Sequence, residues 1–295
     1  MMESDALPPR LGPYAIVRRI GGGAMATVHE AIHVGLGKPV AIKVMQADLR
    51  ADPRIAARFL REGRAAARVR HPNVVDVSDV GSHAGIPYLV MELLQGVDLG
   101  EHLGRKDRLS LDETLEIMLP VVCAVAAAHD VGVLHRDLKP TNIFLAKGRH
   151  GALRPTVVDF GVSAFMDRRG EDPLTRSGTV LGSLQYMSPE QTRGAKHADA
   201  RSDQYSLGAV LYRCTTGRPP FVVEGAYHLI RAIGNDPLVP PSHAVPDLAP
   251  DFDRVLVRAL ARAPADRFDS VKELGRALLP FAAPGAAADW ARELV

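Results

Sequence analysis

Cysteine is nearly absent, with Cys123 and Cys214 alone in unrelated apolar stretches. That excludes a disulfide framework or a cysteine-based metal cluster, and both residues read as reduced and buried. No stretch approaches the ~20 consecutive apolar residues of a membrane span. The most apolar one, MLPVVCAVAAAHDVGVL, is broken by His129 and Asp130 and predicts a core helix. The opening MMESDALPPRLGPY has acids and prolines but no apolar centre, so it is not a signal peptide. Charge of one sign is not in excess either: a formal net charge of +2 argues against a dedicated nucleic-acid binder. Lysine is scarce, seven of the 36 basic residues, so each lysine inside a motif carries weight. What the chain has in quantity is apolar content. Over 295 residues, 46% hydrophobic is enough for one large domain or two modest lobes with a sizeable core.

Residues 1–13 read as a loose leader. From Tyr14 to about Glu92, short segments rich in branched residues predict strands: YAIVRRI, TVHEAIHV, PVAIKVM, then HPNVVDVSDV and IPYLVMEL. One helix interrupts them, DPRIAARFLREGRAAARV, with Pro53 near its start and an apolar stripe. Beyond Gly96 the long patterns are helical, in LDETLEIMLPVVCAVAAAHDVGV and ARSDQYSLGAVLYRCTTG, with shorter ones in DFDRVLVRALA and SVKELGRALL. The expectation is an α+β chain. A small β-rich lobe spans about 14–92, a joint about 92–98, and a larger, mainly helical lobe about 99–281. Substrates often bind in a cleft between such lobes. Residues 282–295 are rich in alanine, proline and glycine and read as a tail or the start of a linker.

The run GGGAMATV offers Gly21, Gly22 and Gly23, which let a backbone bend tightly and approach a phosphate. Alone it is a weak signal. Ala26 stands where a third glycine completes G-x-G-x-x-G, and a strand follows where a dinucleotide fold wants a helix. Lys43, in VAIK, is a cation in an apolar strand, which is costly unless paired. It is either an edge charge facing water or a cation aimed at phosphates, with Glu62 of FLREGR as the partner that keeps it charged. In HRDLKPTNIF, Asp137, Lys139 and Asn142 are three polar groups in one short loop, and VVDFG places Asp159 after a branched run. Asp159 and Asn142 supply hard oxygen ligands for Mg²⁺. Asp137 can orient a hydroxyl and accept its proton, and Lys139 can steady charge on a moving phosphoryl group. Polar turns account for each piece singly. Their order after VAIK favours phosphoryl transfer.

Taken together, IGGGAMATV, VAIK, HRDLKPTN, DFG, SPE and DQYSLG make the chain resemble protein kinases of the serine/threonine type. It is similar to the bacterial eukaryotic-like (Hanks-type) members over roughly Tyr14 to Phe281. The resemblance implies the bilobal protein-kinase fold, with one major helix in the small lobe. It makes Ile20, Gly21, Gly22, Gly23, Ala24, Met25, Ala26, Thr27 and Val28 the loop that covers ATP. Lys43 matches the phosphate-binding lysine and Glu62 its helix partner. Met91 falls at the gatekeeper, and the backbones of Glu92 and Leu94 fall at the adenine edge. Asp98 falls at the ribose, and Ala41, Val28 and Phe144 sandwich the adenine. Asp137 matches the catalytic base, while Asn142 and Asp159 match the Mg²⁺ ligands, with Mn²⁺ the alternative metal. Lys139, two residues after Asp137, fits the serine/threonine type. Ser183 falls where a hydroxyl bonds the catalytic aspartate. Glu190 is expected to pair with Arg267, and Asp203 to anchor the catalytic loop from below.

Two departures stand out. Ala26 in place of the third glycine should stiffen the loop slightly. The Asp137-to-Asp159 spacing of 22 is longer than is common, and the extra residues around KGRHGALRP read as a longer hairpin tip away from the chemistry. Arg136 before Asp137 resembles kinases switched on by activation-loop phosphorylation, where a phosphate of about −2 charge binds the arginine. Thr175 and Ser177 are the expected autophosphorylation sites, with Thr179 closer in; the plain alternative for any one of them is a solvated hydroxyl. The implied activity is ATP- and Mg²⁺-dependent phosphorylation of serine and threonine hydroxyls. The implied partners are protein substrates and, transiently, a second copy during autophosphorylation. No nucleic acid and no membrane segment are implied for this chain. Its expected place is the cytoplasm, alone or as the cytoplasmic domain of a longer membrane protein. A non-enzymatic pseudokinase scaffold would usually lack Lys43, Asp137 or Asp159. A small-molecule kinase is disfavoured by LGSLQYMSPE, which resembles a protein-substrate platform. That platform, Leu181 to Met187, contains no charge from which a substrate preference could be read.

Overall fold

Most of the branched-residue segments among the described residues up to 95 pair into one antiparallel sheet. The computed structural model describes residues 7–23, 25–148, 151–160, 179–194 and 197–294. The sheet consists of β1 (Arg10–Leu11), β2 (Tyr14–Gly22), β3 (Ala26–His33), β4 (Lys38–Met45), β5 (Val77–His83) and β6 (Ile86–Glu92), in the order β1-β2-β3-β4-β6-β5. The period of two sorts each strand into two faces. Val40, Ile42 and Val44 of β4 pack into one cluster with Leu11, Tyr14, Ala31, Tyr88 and Val90. Leu11 is fully buried there, so the last residues of the expected leader belong to the fold. Ala41 and Lys43 point to the opposite face.

That second face carries the helix of the first unit. After a four-residue helix α1 (Ala47–Arg50), α2 runs Pro53–Ala66. Asp52 caps it by accepting from the Arg54 N–H, and Pro53 occupies the first turn, where its missing donor costs nothing. α2 packs on β5 and β6. A methyl group added at Gly63 would lie 2.1 Å from Leu89 Cδ2, so the helix rests on the sheet through a residue without a side chain. Residues 7–70 and 75–95 form this compact unit.

The second unit comprises residues 71–74 and 96–294. A small sheet, β7 (Gly96–Asp98), β8 (Ile143–Lys147) and β9 (Leu153–Val157), is followed and flanked by helices. These are α3 (Leu99–Gly104), α4 (Leu111–Asp130), α5 (Thr179–Leu184), α6 (Ala200–Thr216), α7 (Ala226–Asn235), α8 (Pro241–Ala244), α9 (Pro250–Ala259), α10 (Val271–Leu278) and α11 (Pro284–Ala291). The apolar stretch around Cys123 is α4, buried along most of its length and started by a Ser110–Glu113 capping box. α6 starts at an Asp199 cap and stops at Gly217, whose φ of 81° only glycine adopts cheaply. At the far end of the β8–β9 hairpin Lys147 pairs with Leu153, and Gly148 donates to the Ala152 carbonyl at 2.7 Å; Arg149 and His150 of KGRHGALRP lie outside the described residues.

The segment expected as a tail or linker is folded against this unit. Residues 284–291 form α11, and the following Leu294 is fully buried. Leu294 fills the notch left by Gly275 of α10, where a methyl group would lie 2.5 Å from its Cδ2 and 3.0 Å from Val122 of α4. Glu293 Oε2 sits 2.7 Å from His71 Nε2. Hydrophobic contact, absent from a solvated linker, is what holds it. Among the described residues, no helix is long and apolar enough to cross a membrane.

Candidate active site

Lys43 is 6% exposed in the middle of β4. Its register partners are Val28 on β3 and Leu89 on β6, while Ala41 lies opposite Met91. Directly opposite residues share a face. Val28, Ala41, Lys43 and Met91 therefore line the face on which α2 packs. Glu62, beside Gly63 on α2, pairs with Arg58 one turn earlier at 2.8 Å.

The β2–β3 hairpin ends in a tip with exposed glycines. Gly21, Gly22 and Gly23 are open to solvent, as is much of Ile20. The Gly23 N–H donates to the Ala26 carbonyl at 2.9 Å. Gln46 closes the base of the tip, its side chain donating to the Gly23 carbonyl at 2.9 Å and its N–H to Met25 at 3.0 Å. A methyl at Gly22 would lie 2.8 Å from the Arg19 guanidinium, whose exposed tip can swing away, and 3.3 Å from the Ala26 carbonyl. Ala26 is 4% exposed and faces Met45 across β4; its methyl is packed against protein. Thr27 hydrogen-bonds the His29 ring at 2.9 Å. Ala24 lies outside the described residues.

At the end of β6, Glu92 ties back to Asp76. Its N–H donates to the Asp76 carbonyl at 3.0 Å, and its carboxylate accepts from the Asp76 N–H at 3.2 Å. The Leu94 main chain makes no hydrogen bond among the described residues. In the second unit, Asp98 caps α3, its Oδ1 accepting from the Glu101 N–H at 2.9 Å. Phe144, partly buried on β8, pairs with Asp98 across the small sheet.

The loop between α4 and β8 carries the densest polar network. Asp203, buried at the start of α6, accepts from the His135 N–H at 2.8 Å, the Arg136 N–H at 2.7 Å and His129 Nε2 at 2.8 Å. Burial alone would raise the Asp203 carboxyl, but these bonds and the neighbouring imidazoles outweigh it and hold the group below its ordinary value. His135 is fully buried, and desolvation keeps it below an ordinary imidazole. Its Nε2 lies 2.9 Å from the Val158 carbonyl and its Nδ1 accepts from the Asp137 N–H at 3.3 Å, so the neutral ring carries its proton on Nε2. Gln191 donates to the Arg136 carbonyl at 2.8 Å. These bonds hold Arg136 at φ 66°, a left-handed conformation that costs a non-glycine residue about 1–2 kcal/mol. Asp159 adopts φ 64° as well.

On this frame Asp137, Lys139 and Asn142 converge. Lys139 Nζ donates to Asp137 Oδ2 at 2.8 Å, and Asn142 Nδ2 donates to the Asp137 carbonyl at 2.8 Å and to Oδ2 at 3.2 Å. The Val158 N–H donates to the Asn142 carbonyl at 3.0 Å, which ties the strand before Asp159 to the same loop. Ser183 departs from the expected geometry. Its hydroxyl accepts from Lys139 Nζ at 2.8 Å, and the lysine rather than a direct bond joins it to Asp137. The expected brace forms: Arg267 grips Glu190 with two bonds of 2.7 and 2.8 Å, and Ser202 adds a third at 2.6 Å. Thr175 and Ser177 lie outside the described residues.

Residues 14–275 match the protein kinase domain. The chain belongs to the protein kinase family. It is 38% identical over 269 residues to serine/threonine-protein kinase Pkn1 of Myxococcus xanthus, covering 91% of this chain and 38% of that protein. It is 39% identical to serine/threonine-protein kinase PknB of Mycolicibacterium smegmatis, covering 88% and 41%. Its fold is similar to that of the Mycobacterium tuberculosis PknI kinase domain, with a TM-score of 0.71 at 32% identity, covering 96% of this chain and all of that one. The chain spans about two fifths of the length of these curated relatives. Within this kinase domain, sequence reasoning missed Gly63, Gln46, Gln191 and His129. Each acts through a contact far away in the chain, and none belongs to a motif. Only Gly63 left a trace, as a glycine inside a helical pattern.

Proposed function

We propose that this kinase domain transfers the γ-phosphate of ATP to serine and threonine hydroxyls of proteins. The observation that carries the reading is the Asp137 carboxylate, held by Lys139 and Asn142 within 3.2 Å on a loop anchored by Asp203. Asp137 orients the acceptor hydroxyl and takes its proton as the oxygen attacks the γ-phosphorus and the bond to the ADP oxygen breaks. Lys139 carries three N–H donors; two are used on Asp137 and Ser183, and the third is left to steady the transferred phosphoryl group.

In the first unit, Lys43 on the face with Val28, Ala41 and Met91 supports a nucleotide site. The cation meets the α- and β-phosphates, Glu62 keeps it charged, and the apolar residues take the adenine. The exposed glycines of the hairpin tip offer backbone to phosphate, and the Leu94 main chain is available to the adenine edge. Asp98 Oδ1 is spent on its helix cap, which leaves Oδ2 for the ribose. The donor set fits Mg²⁺ or Mn²⁺. Asn142 turns its amide nitrogen toward Asp137, which leaves its Oδ1 pointing away, and Asp159 adds a carboxylate; both are hard oxygens. Bound there, the metal would neutralise charge on the phosphate oxygens. Among the described residues no cluster of three or more histidine, cysteine or acidic side chains forms an all-protein cage, as suits a metal that takes part of its shell from phosphate.

Arg136 supports autophosphorylation at Thr175 or Ser177, carried out by a transient second copy. Its Nε is buried without a hydrogen-bond partner among the described residues, a place where phosphate oxygens would be welcome. Protein substrates in the cytoplasm follow from this reading, whether the domain acts alone or as the cytoplasmic part of a longer membrane protein. The test is labelled-phosphate transfer from ATP to a mixed protein substrate and to the enzyme itself. Transfer should fall at least 10²-fold in Lys43→Met and in Asp137→Asn, and stop with a chelator. Mass spectrometry should find phosphate in residues 175–177 of the active protein and none in Asp137→Asn. No transfer by the intact protein overturns the reading.

A further inference from the structure

A cavity of about 300 Å³ lies wholly within the second unit, next to the Asp137–Lys139 pair. Lys139 and Ser183 belong to its lining, together with Thr141, Gln185, Tyr186 and Arg213 and a few glycine and apolar residues. Among the described residues, two cations line it and no carboxylate does. Lys139 is already paired with Asp137, so among the described residues the charge left without a counter-ion is that of Arg213. Arg213, half-buried on α6, reaches two main-chain oxygens among the described residues, Asp107 at 3.3 Å and Leu103 at 3.4 Å. Both bonds are long for N–H···O. A guanidinium has five N–H donors, so three are left. The same charge works against the burial that pushes the Tyr186 phenol up to about 12, which places the guanidinium within electrostatic reach of the cavity wall.

A half-buried guanidinium with spare donors is met best by a carboxylate, which it can grip through two N–H bonds. A lysine or arginine in the same place meets like charge and an unpaired cation. We propose that Arg213 makes this cavity a subsite for an acidic side chain flanking the acceptor hydroxyl. The kinase then prefers serine or threonine peptides with aspartate or glutamate near the acceptor over peptides with lysine or arginine there. The proposal rests on the phosphoryl-transfer reading above. It supplies what the uncharged segment 181–187 lacks, because the discriminating charge comes from α6, some 30 residues further along the chain.

The test is a positional-scanning peptide set around one serine, read with the wild-type protein, Arg213→Glu and Arg213→Gln. At one flanking position the wild type should favour acid over base by about tenfold or more in kcat/KM, carried by KM. Arg213→Glu should invert that preference at the same position and Arg213→Gln should level it. Thermal melts establish that the variants fold; if Arg213→Glu does not, Arg213→Gln carries the test. Indifference of the wild type to charge at every flanking position overturns the proposal, as does an acid preference that survives in the variants. Binding of labelled acidic and basic peptides to Asp137→Asn separates the two readings. Acid-selective binding with no transfer by the wild type sinks the phosphoryl-transfer reading and keeps the subsite. Transfer without charge selection sinks the subsite alone.

Discussion

Ala26 is packed under Met45 rather than exposed at the hairpin tip, and this changes what its substitution should do. On the proposed reading the missing third glycine leaves phosphate approach intact, because Gly21 and Gly22 carry the exposed backbone. Ala26→Gly should cost stability by about 0.5–1 kcal/mol, the entropic penalty of glycine in a strand. ATP affinity should change by less than tenfold, which is about 1.4 kcal/mol. Calorimetric titration with nucleotide and a denaturant melt check both halves. A tenfold change in affinity would mean that the residue acts on the nucleotide directly. Ser183 is the complementary case. Its hydroxyl reaches Asp137 only through Lys139, so its contribution depends on the lysine being present.

At the scale of elements, the seat of α2 on the sheet is set by one residue. Gly63→Ala gains about 1 kcal/mol of helix propensity. Its methyl, however, would sit 2.1 Å from Leu89 Cδ2 in a packed core, and overpacking costs about 1–3 kcal/mol. The second effect wins, so we expect a net loss in a urea unfolding midpoint. We also expect a several-fold rise in KM for ATP, because a helix pushed off the sheet carries Glu62 with it. An unchanged KM with lowered stability would show that Glu62 does not serve the nucleotide site. In the second unit, the Glu190–Arg267 grip fixes the segment after α5 to the loop before α10. Arg267 is also stacked over Tyr205, with its guanidinium carbon 5.0 Å from the ring centre.

At the scale of the whole molecule, buried ionisable groups set the response to acid. Burial alone would raise the Glu190 carboxyl; the Arg267 and Ser202 bonds outweigh it and hold the group below its ordinary 4.5. Asp203 is held below 3.8, and burial holds His135 below 6.5. All three folded values lie below the unfolded ones, so the unfolded chain binds more protons in each window. Stability from these groups is therefore full above those ordinary values and lost as pH falls through them. The melting temperature should begin to drop below about pH 6.5, through His135, and drop more steeply below about pH 4.5, through the two carboxylates. Glu190→Gln should lower stability by about 3–5 kcal/mol at pH 7, because it leaves a buried guanidinium unpaired, and should flatten the steeper part of the profile. Thermal melts across pH 4–8 check this. A flat profile in the wild type would contradict it.

The sequence by itself determined the sheet-then-helices order, the α4 core helix and the residue types at 43, 137, 139, 142 and 159. Those are local matters. Strand and helix periods are written within a dozen residues, and the loop that joins Asp137, Lys139 and Asn142 is only six residues long. Tertiary structure alone decided other meetings across long separations: Gln191 on the Arg136 carbonyl, Lys139 between Ser183 and Asp137, and Gly63 against Leu89. It also decided that residues 284–294 dock rather than trail, and that Arg213 of α6 shares a cavity with Lys139. The physical reason is that such contacts depend on shape and burial between elements far apart in the chain, by as many as 222 residues, not on any pattern within one. Motifs written in consecutive residues declare the chemistry, while the residues that hold and tune it are chosen by packing.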